Sequence, residues 1–594
     1  MAHTASNPLS KLKNETMTPA ITNHDFSKQV ALVRAYHQRT KHRLDGYAPG
    51  PDTIDWSAPP DPFRRFAGSR KILLPLCTDQ LSLTFDQLNQ PHSAQVLNLD
   101  SIGQLLQWSF ALAAWKEYGP DRWALRINPS SGNLHPTEAY LIVRAVNGLA
   151  DGLYHYGVED HSLTLRRADT PSTDAASSLY IGLSNITWRE AWKYGERAFR
   201  YCQLDTGHAL GAIRYALACL GWTARLLQLD HATLNASLGL DRSDDFAKVE
   251  KEEAELLLAV HLDSTALTTN QSSRQLNQQA SQQHNFIASD NATWYGQASR
   301  IDAHPMYQWP VIEQVAHATR ATNQQVTTTG LVARLTNKQT DNQTASSSRL
   351  ATDVITQRRS AQRFDHKHEM PAEQLWQLLC SLHSGQALPF DLYQEINIQN
   401  FCPPLHMVLF IHRVTGLAPG VYILPRSEAS TALLKQTLNP DFVWQPIAIP
   451  NAPTDLNLYL LQALPAHFIA RRLSCAQAIA GDCNIAWSML AEWDNALVNG
   501  PAAYRHLHWE AGLLGQILYL QAENMGLRGT GIGCYFDDAC HEFLGMRNEP
   551  DQQAPLQAIY HFSLGLPLVD QRIQSHPPYS AERMAMPAGT LLES

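Results

Sequence analysis

The chain has 594 residues, too many for one hydrophobic core and enough for two to four domains. With 46 Lys and Arg against 55 Asp and Glu its formal charge is −9, a mild acidity that speaks against a nucleic-acid backbone as partner. Hydrophobic residues at 44% and charged residues at 17% are an ordinary soluble balance, and no apolar run reaches the roughly 18 residues that a membrane helix needs.

The N-terminal MAHTASNPLSKLKNETM has no apolar stretch for a secretory signal. The nine cysteines include no CxxC pair and no Cys/His cluster with zinc spacing, so they read as reduced thiols in a cytoplasm, with no metal site. Residues 1–84 form an arm, rich in Pro and aromatics around YAPGPDTIDWSAPPDPFRRF. Residues 85–263 form a first folded unit. It holds the helical GQLLQW (103–108), the polar turn NPSSGNLHP (128–136), the strand-like TEAYLIV (137–143) and WKYGERAFRY (192–201), and a long helix is expected at about 207–229. Residues 264–349 are a linker. Its runs 264–286 and 321–348 are rich in Gln, Asn, Ser and Thr, and between them TWYGQASRIDAHPMYQWPVIEQVAHA has the aromatics of a short packed segment. Residues 350–594 form a second unit, opening on RRSAQRF (358–364), with a long helix expected at about 511–526 and GLRGTGIG at 526–533.

The two units share a pattern. GLADGLY (148–154) matches GLAPGVY (416–422) at an offset of 268, and PTEAYLIV (136–143) overlays PLHMVLFI (404–411) at the same offset. GQLLQW overlays EQLWQL (373–378) at 270, HSAQVL (92–97) overlays RSAQRF (359–364) at 267, and YGERAFRYCQLDTGHALG (194–211) overlays NGPAAYRHLHWEAGLLGQ (499–516) at 305. Collinear order with stepwise drift is the mark of an internal duplication. Where the copies differ, each has lost what the other kept. The Ser-Ser-Gly-Asn turn survives only in the first unit, and the paired arginines and the GTGIG glycines only in the second. A symmetric dimer with two equal sites, fused into one chain with one composite site, would decay in this way.

Taken singly, each motif is an ordinary turn or surface stretch. Jointly they describe a ligand. Arg358 and Arg359 supply planar forks for a phosphate, and Ser360 adds a hydroxyl. Gly529, Gly531 and Gly533 let backbone approach a flat group, and Pro129, Ser130, Ser131 and Asn133 offer polar groups in a turn. No strand–GxGxxG–helix unit is present, so a Rossmann domain is not expected. A phosphorylated planar cofactor fits this set. His208 and His508, in the duplicated helices, read as core or interface histidines.

RxSxxxF opening a unit, PSSGNxHP leading into a strand, GLRGTGIG after a long helix and SLGLPLVDQR near the end resemble the FMN-dependent nitroreductase superfamily. WKYGERAFRY narrows the resemblance to its SagB-type dehydrogenase branch, which includes oxidases that convert peptide thiazolines and oxazolines to thiazoles and oxazoles. The resemblance spans about 85–263 and 350–580 and is specific as a set. It implies an α+β fold: two nitroreductase-like units, each an antiparallel sheet with surrounding helices, forming an intramolecular pseudo-dimer with FMN between them. Arg358 and Ser360 would contact the FMN phosphate and ribityl chain, and Gln362 stands where the family usually has Lys or Arg. Pro129, Ser130, Ser131 and Asn133 would reach the same FMN from the first unit. Gly531, Ile532, Gly533 and Cys534 would bring backbone N–H groups to the flavin ring, and Arg572 is a further phosphate candidate. Lys193 and Tyr194 are similar to the acid/base pair of the peptide-modifying relatives.

The expected function is hydride transfer at the flavin, with a small molecule or a peptide azoline as substrate. An NAD(P)H-dependent nitro or quinone reductase is the alternative, and a non-catalytic flavin-binding or partner scaffold the second alternative. One flavin per chain is expected, because Pro91-His92-Ser93 cannot replace the arginine pair, nor Asn397–Phe401 the polar turn. Further oligomerisation stays open.

Overall fold

The computed structural model describes residues 23–77, 81–171, 176–262, 286–288, 291–321, 349–383, 388–393, 404–450, 456–546 and 553–593. Most of the two polar linker runs, and Asn397–Phe401, lie outside the described residues.

Each unit is built on an antiparallel sheet. In the first, five strands lie in the order Gly152–Gly157, Thr137–Arg144, Ser178–Asn185, Glu253–His261, Thr223–Leu226. In the second, the order is Gly420–Leu424, Leu405–Ile411, Ile485–Glu492, Leu556–Gly565, Arg528–Ile532. The two series run through the chain in the same sequence, and in each the long helix falls between the third strand and the edge strand. The matched heptapeptides close equivalent hairpins. Tyr154 donates its hydroxyl to the Ala150 carbonyl at 2.8 Å, and Tyr422 donates to Ala418 at 2.7 Å. Sequence and side-chain hydrogen bonding thus repeat together.

The long helices are Ala198–Cys219 and Ala503–Asn524; the first lies about ten residues earlier than expected at both ends, and the second begins about eight residues earlier and ends about two earlier. Each ends where a glycine takes a left-handed backbone, Gly221 at φ 71° and Gly526 at φ 74°, the usual way to stop a helix. The next residues, TARL in one case and RGTGI in the other, continue as strands. Every residue of the first helix is buried, so its polar side chains sit inside the protein and disguise its start as a surface stretch.

The two helices cross at glycines. A Cβ on Gly207 would lie 2.1 Å from the Trp509 carbonyl oxygen, and one on Gly512 would lie 2.1 Å from that of Leu204. The backbones touch here, which only glycine permits. One continuous apolar core runs through both units, from Leu141 and Ile213 to Leu513 and Phe562. The C-terminal segment also crosses over: Gln574–His576 pairs with Leu112–Tyr118, and Leu591–Glu593 pairs with Arg70–Leu73. In the sequence these strands belong with the second unit; in space they extend the first. Among the described residues no helix is long and apolar enough to cross a membrane.

Candidate functional site

A cavity of about 420 Å³ opens between the units, beside the helix crossing. One wall is the turn at 129–133, carried between the strands Asp121–Arg126 and Thr137–Arg144. The opposite wall is the segment 358–362 and the edge strand Arg528–Ile532 with the residues after it. These two pieces of the second unit meet through a parallel bridge at Ser360 and Gly529. There Ala361 donates its N–H to the Gly529 carbonyl at 2.9 Å, and Thr530 its hydroxyl to the Ala361 carbonyl at 2.6 Å.

Pro129, Ser130, Ser131, Asn133, Arg358, Arg359, Ser360, Gln362, Gly531, Ile532, Gly533, Cys534 and Tyr194 all line this cavity. Lys193 stands just behind the turn. A Cβ on Gly132 would lie 2.6 Å from the Tyr194 hydroxyl and 3.2 Å from the Lys193 Nζ. Arg572 is away from it: 70% of its side chain is exposed, it pairs with Asp570 at 2.6 Å, and it is not in the cavity wall.

The contacts revise several roles read from the sequence. Ser131 is occupied by Asp205, which accepts from its N–H at 3.0 Å and from its hydroxyl at 2.9 Å. Asn133 is turned inward, donating to the Ala124 carbonyl at 2.8 Å while its amide oxygen lies 3.0 Å from the His135 ring. These side chains build the turn, whose strain shows in the left-handed backbones of Gly132, Asn133 and His135 (φ 58°, 60° and 54°). The glycines of GTGIG make room for rings as well. A Cβ on Gly531 would strike the Tyr560 hydroxyl and one on Gly533 the Tyr201 ring, both walls of the cavity themselves. The Gly531 N–H donates to the Tyr519 hydroxyl at 2.9 Å.

Arg358 is the open cation. Its Nε donates to the Ile127 carbonyl at 3.1 Å and its Nη2 to the Arg126 carbonyl at 3.3 Å, while its buried Nη1 has no partner. Arg359 is held by the carbonyls of Thr356 and Arg358, each at 2.7 Å, and of Ala113 at 2.9 Å. Arg126 and Lys116 join them in the wall. None of these four pairs with a carboxylate among the described residues. Burial and mutual repulsion push Arg359 down to about 10, and burial pushes Arg126 down to about 10. Arg126 and Arg358, buried without a carboxylate in contact, favour an anion in the cavity.

Asp205 also lines the cavity, with Glu190 near it. Burial raises Asp205 to about 7, although the Ser130 and Ser131 hydrogen bonds oppose it. Burial and the nearby Asp205 also hold Glu190 far above the carboxylate range, and neither of its oxygens has a hydrogen-bond partner. Burial lowers Lys193, against the attraction of Glu190. His208, hydrogen-bonded to the Tyr560 hydroxyl at 3.0 Å, is pushed down to about 3 by burial and stays neutral; His508 is likewise buried. Asp205, Arg126 and Lys116 escape a motif reading. Of the three, only Asp205 leaves a trace, as an acid inside an apolar helix.

Asp205 carries a pH signature. A carboxyl held at about 7 when folded, and near 4 when unfolded, binds more protons in the folded state between those values. Its contribution to stability is therefore present below about pH 4 and lost as pH rises to 7. Asp205→Asn should reduce the fall in stability between about pH 5 and pH 8 by about 2–3 kcal/mol in urea denaturation. Identical pH dependence in the two proteins would show that another group is responsible.

No family model matches the chain. A crystal structure of a putative nitroreductase from Anabaena variabilis is similar over 90% of this chain and 99% of its own, with a TM-score of 0.60 and 21% identity. The chain has a nitroreductase-like fold. In sequence it is 29% identical over 113 residues to a Methanocaldococcus jannaschii protein named Putative nitroreductase. That match takes in 17% of this chain and spans 57% of the relative's length.

Proposed function

We propose that this chain is an FMN-dependent oxidoreductase of the SagB-type dehydrogenase kind, with one composite site in an intramolecular pseudo-dimer. The observation that carries the proposal is the unpartnered Nη1 of buried Arg358, a residue in the wall of a cavity whose other wall is the Ser-Ser-Gly-Asn turn of the other unit. The cavity's size suits a cofactor of this class, within the roughly 300–1,000 Å³ typical of such sites. The reciprocal crossing supports the pseudo-dimer. Gly207 meets Trp509 as Gly512 meets Leu204, and each pair maps onto the other at the offset of 305, as an isologous contact requires.

Arg358, Arg126 and Lys116 would hold the phosphate, with Arg359 stiffening the segment that carries Arg358. Gly531 to Cys534, with Tyr194 and Tyr201, would face the ring. A bound flavin supplies a two-electron hydride acceptor. The chain supplies the proton path. Lys193, its ammonium disfavoured by burial, takes a proton from the substrate beside the Tyr194 hydroxyl, and Asp205 holds the turn on which both rest. A peptide azoline is the substrate class this pair serves best.

The test is anaerobic. Chain loaded with FMN should lose its visible flavin band on addition of an azoline-containing peptide, and Lys193→Ala should slow that bleaching by about 10²–10⁴-fold. Rapid bleaching by NADPH with none by the peptide would point to a nitro or quinone reductase. Bleaching by neither would overturn the enzyme reading.

A further inference from the structure

Two thiols meet at the cavity, Cys534 in its wall and Cys475 against Cys534, and neither sulphur has a part in the proton path above. Cys534 follows the edge strand Arg528–Ile532 and lines the cavity. Cys475 sits in the loop after the helix Ala466–Leu473, where Cys475 and Ala476 both adopt left-handed backbones (φ 51° and 57°) that L-residues avoid. The loop brings the two sulphurs to 2.7 Å, both as free thiols and both partly exposed.

The surroundings make the pair unequal. The Ala48 N–H donates to His42 Nδ1 at 3.0 Å, so the proton of the neutral imidazole sits on Nε2. His42 and the Arg197 guanidinium both favour the Cys534 thiolate. Asp537, which would oppose this, is neutralised by Arg197 at 3.0 Å and Arg200 at 2.8 Å. Tyr47, Tyr194 and Tyr201 also face the two sulphurs, and Gln477 donates to the Cys534 carbonyl at 3.0 Å. The hydrogen bond with Cys475, then His42 and Arg197, lowers Cys534 against the effect of burial, while the same hydrogen bond and burial raise Cys475.

We propose that Cys534 and Cys475 form a thiol–disulfide exchange site, with Cys534 the nucleophile, Cys475 the resolving thiol and a small disulfide as substrate entering through the cavity. The Cys534 thiolate attacks one substrate sulphur; a new S–S bond forms, the old one breaks, and one thiolate leaves with the electron pair. Cys475 gives up its proton to that leaving thiolate and attacks the Cys534 sulphur, releasing the second thiolate. The chain ends as an intramolecular disulfide, oxidised by two electrons, and the substrate ends as two thiols. A dithiol reductant closes the cycle by the same two exchanges in reverse. The exchange draws on no flavin chemistry.

The probe is dithiobis(nitrobenzoate), added to the full chain at about pH 6, where ordinary thiols are protonated and the Cys534 thiolate should react severalfold faster than they do. The wild-type chain should show a fast phase that releases two nitrothiobenzoate anions per chain, keep no adduct on Cys534 and lose two hydrogens in mass. Cys534→Ser should abolish the fast phase. Cys475→Ser should halve its amplitude and leave the adduct on Cys534. Peptide mapping of wild-type chain equilibrated with oxidised glutathione supplies a readout that needs no variant: a Cys475–Cys534 crosslink is expected. A fast phase that survives Cys534→Ser, or wild-type chain that retains its adduct and forms no crosslink, would overturn the proposal.

Discussion

Gly512→Leu should lower the stability of the whole chain by about 3 kcal/mol or more, and Gly207→Leu should do the same from the other side of the crossing. Ordinary overpacking costs about 1–3 kcal/mol because side chains can shift. Here the obstacle is backbone: a Cβ at 512 would stand 2.1 Å from the Leu204 carbonyl and 2.8 Å from the His208 nitrogen. Relief requires the helices to part, which opens the apolar core they share. Against a typical total of about 5–15 kcal/mol, each variant should show a markedly lower urea midpoint. Gly46→Ala is the control, since a Cβ there meets nothing within 4 Å, and it should change stability by less than about 0.5 kcal/mol. A Gly512→Leu chain with the wild-type midpoint would mean that the helices do not touch as described.

Arg358→Ala should weaken FMN binding by about 1.5–3 kcal/mol, a factor of about 10 to 150 in Kd, because it removes a charge-assisted phosphate contact from a desolvated site. The loss is expected to be larger than for Arg359→Ala. Arg359 already spends its donors on three carbonyls, whereas Arg358 keeps Nη1 unsatisfied. Ser131→Ala, on the other unit, should also weaken binding, through Asp205 rather than by a direct contact: without the hydroxyl the buried carboxyl loses a donor and the turn its brace. Flavin fluorescence titration of the three variants orders these effects. Wild-type affinity in Arg358→Ala would remove the phosphate site from the account.

Much of the architecture was legible because duplication writes it twice. The pairing of GLADGLY with GLAPGVY located equivalent hairpins, and the aligned apolar runs located the strands Thr137–Arg144 and Leu405–Ile411. Complementary losses pointed to residues that the fold brings to one cavity. The helix boundaries were not legible, because the helix Ala198–Cys219 is buried all round and has no polar face to set its phase. The inward hydrogen bonds of Ser131 and Asn133 were hidden for another reason. A polar turn looks the same in sequence whether its side chains serve a ligand or hold the turn itself, and Asp205, which decides the matter, lies 74 residues away. A second use of the GTGIG glycines was hidden, since the rings of Tyr560 and Tyr201 that need their space come from distant elements. Arg572 was placed near the phosphate by motif order alone, and its pairing with Asp570 holds it at the surface.

The central claim is a single composite flavin site, and the ratio of released flavin to chain after reconstitution tests it most directly. The account predicts a ratio near one. It rests on the Arg358 side of the cavity having no counterpart where Pro91 and His92 replace the arginine pair, and on the edge strand Thr223–Leu226 carrying side chains where the second unit has glycines. A ratio near two would contradict the reading of complementary decay, and a ratio near zero would contradict the site itself.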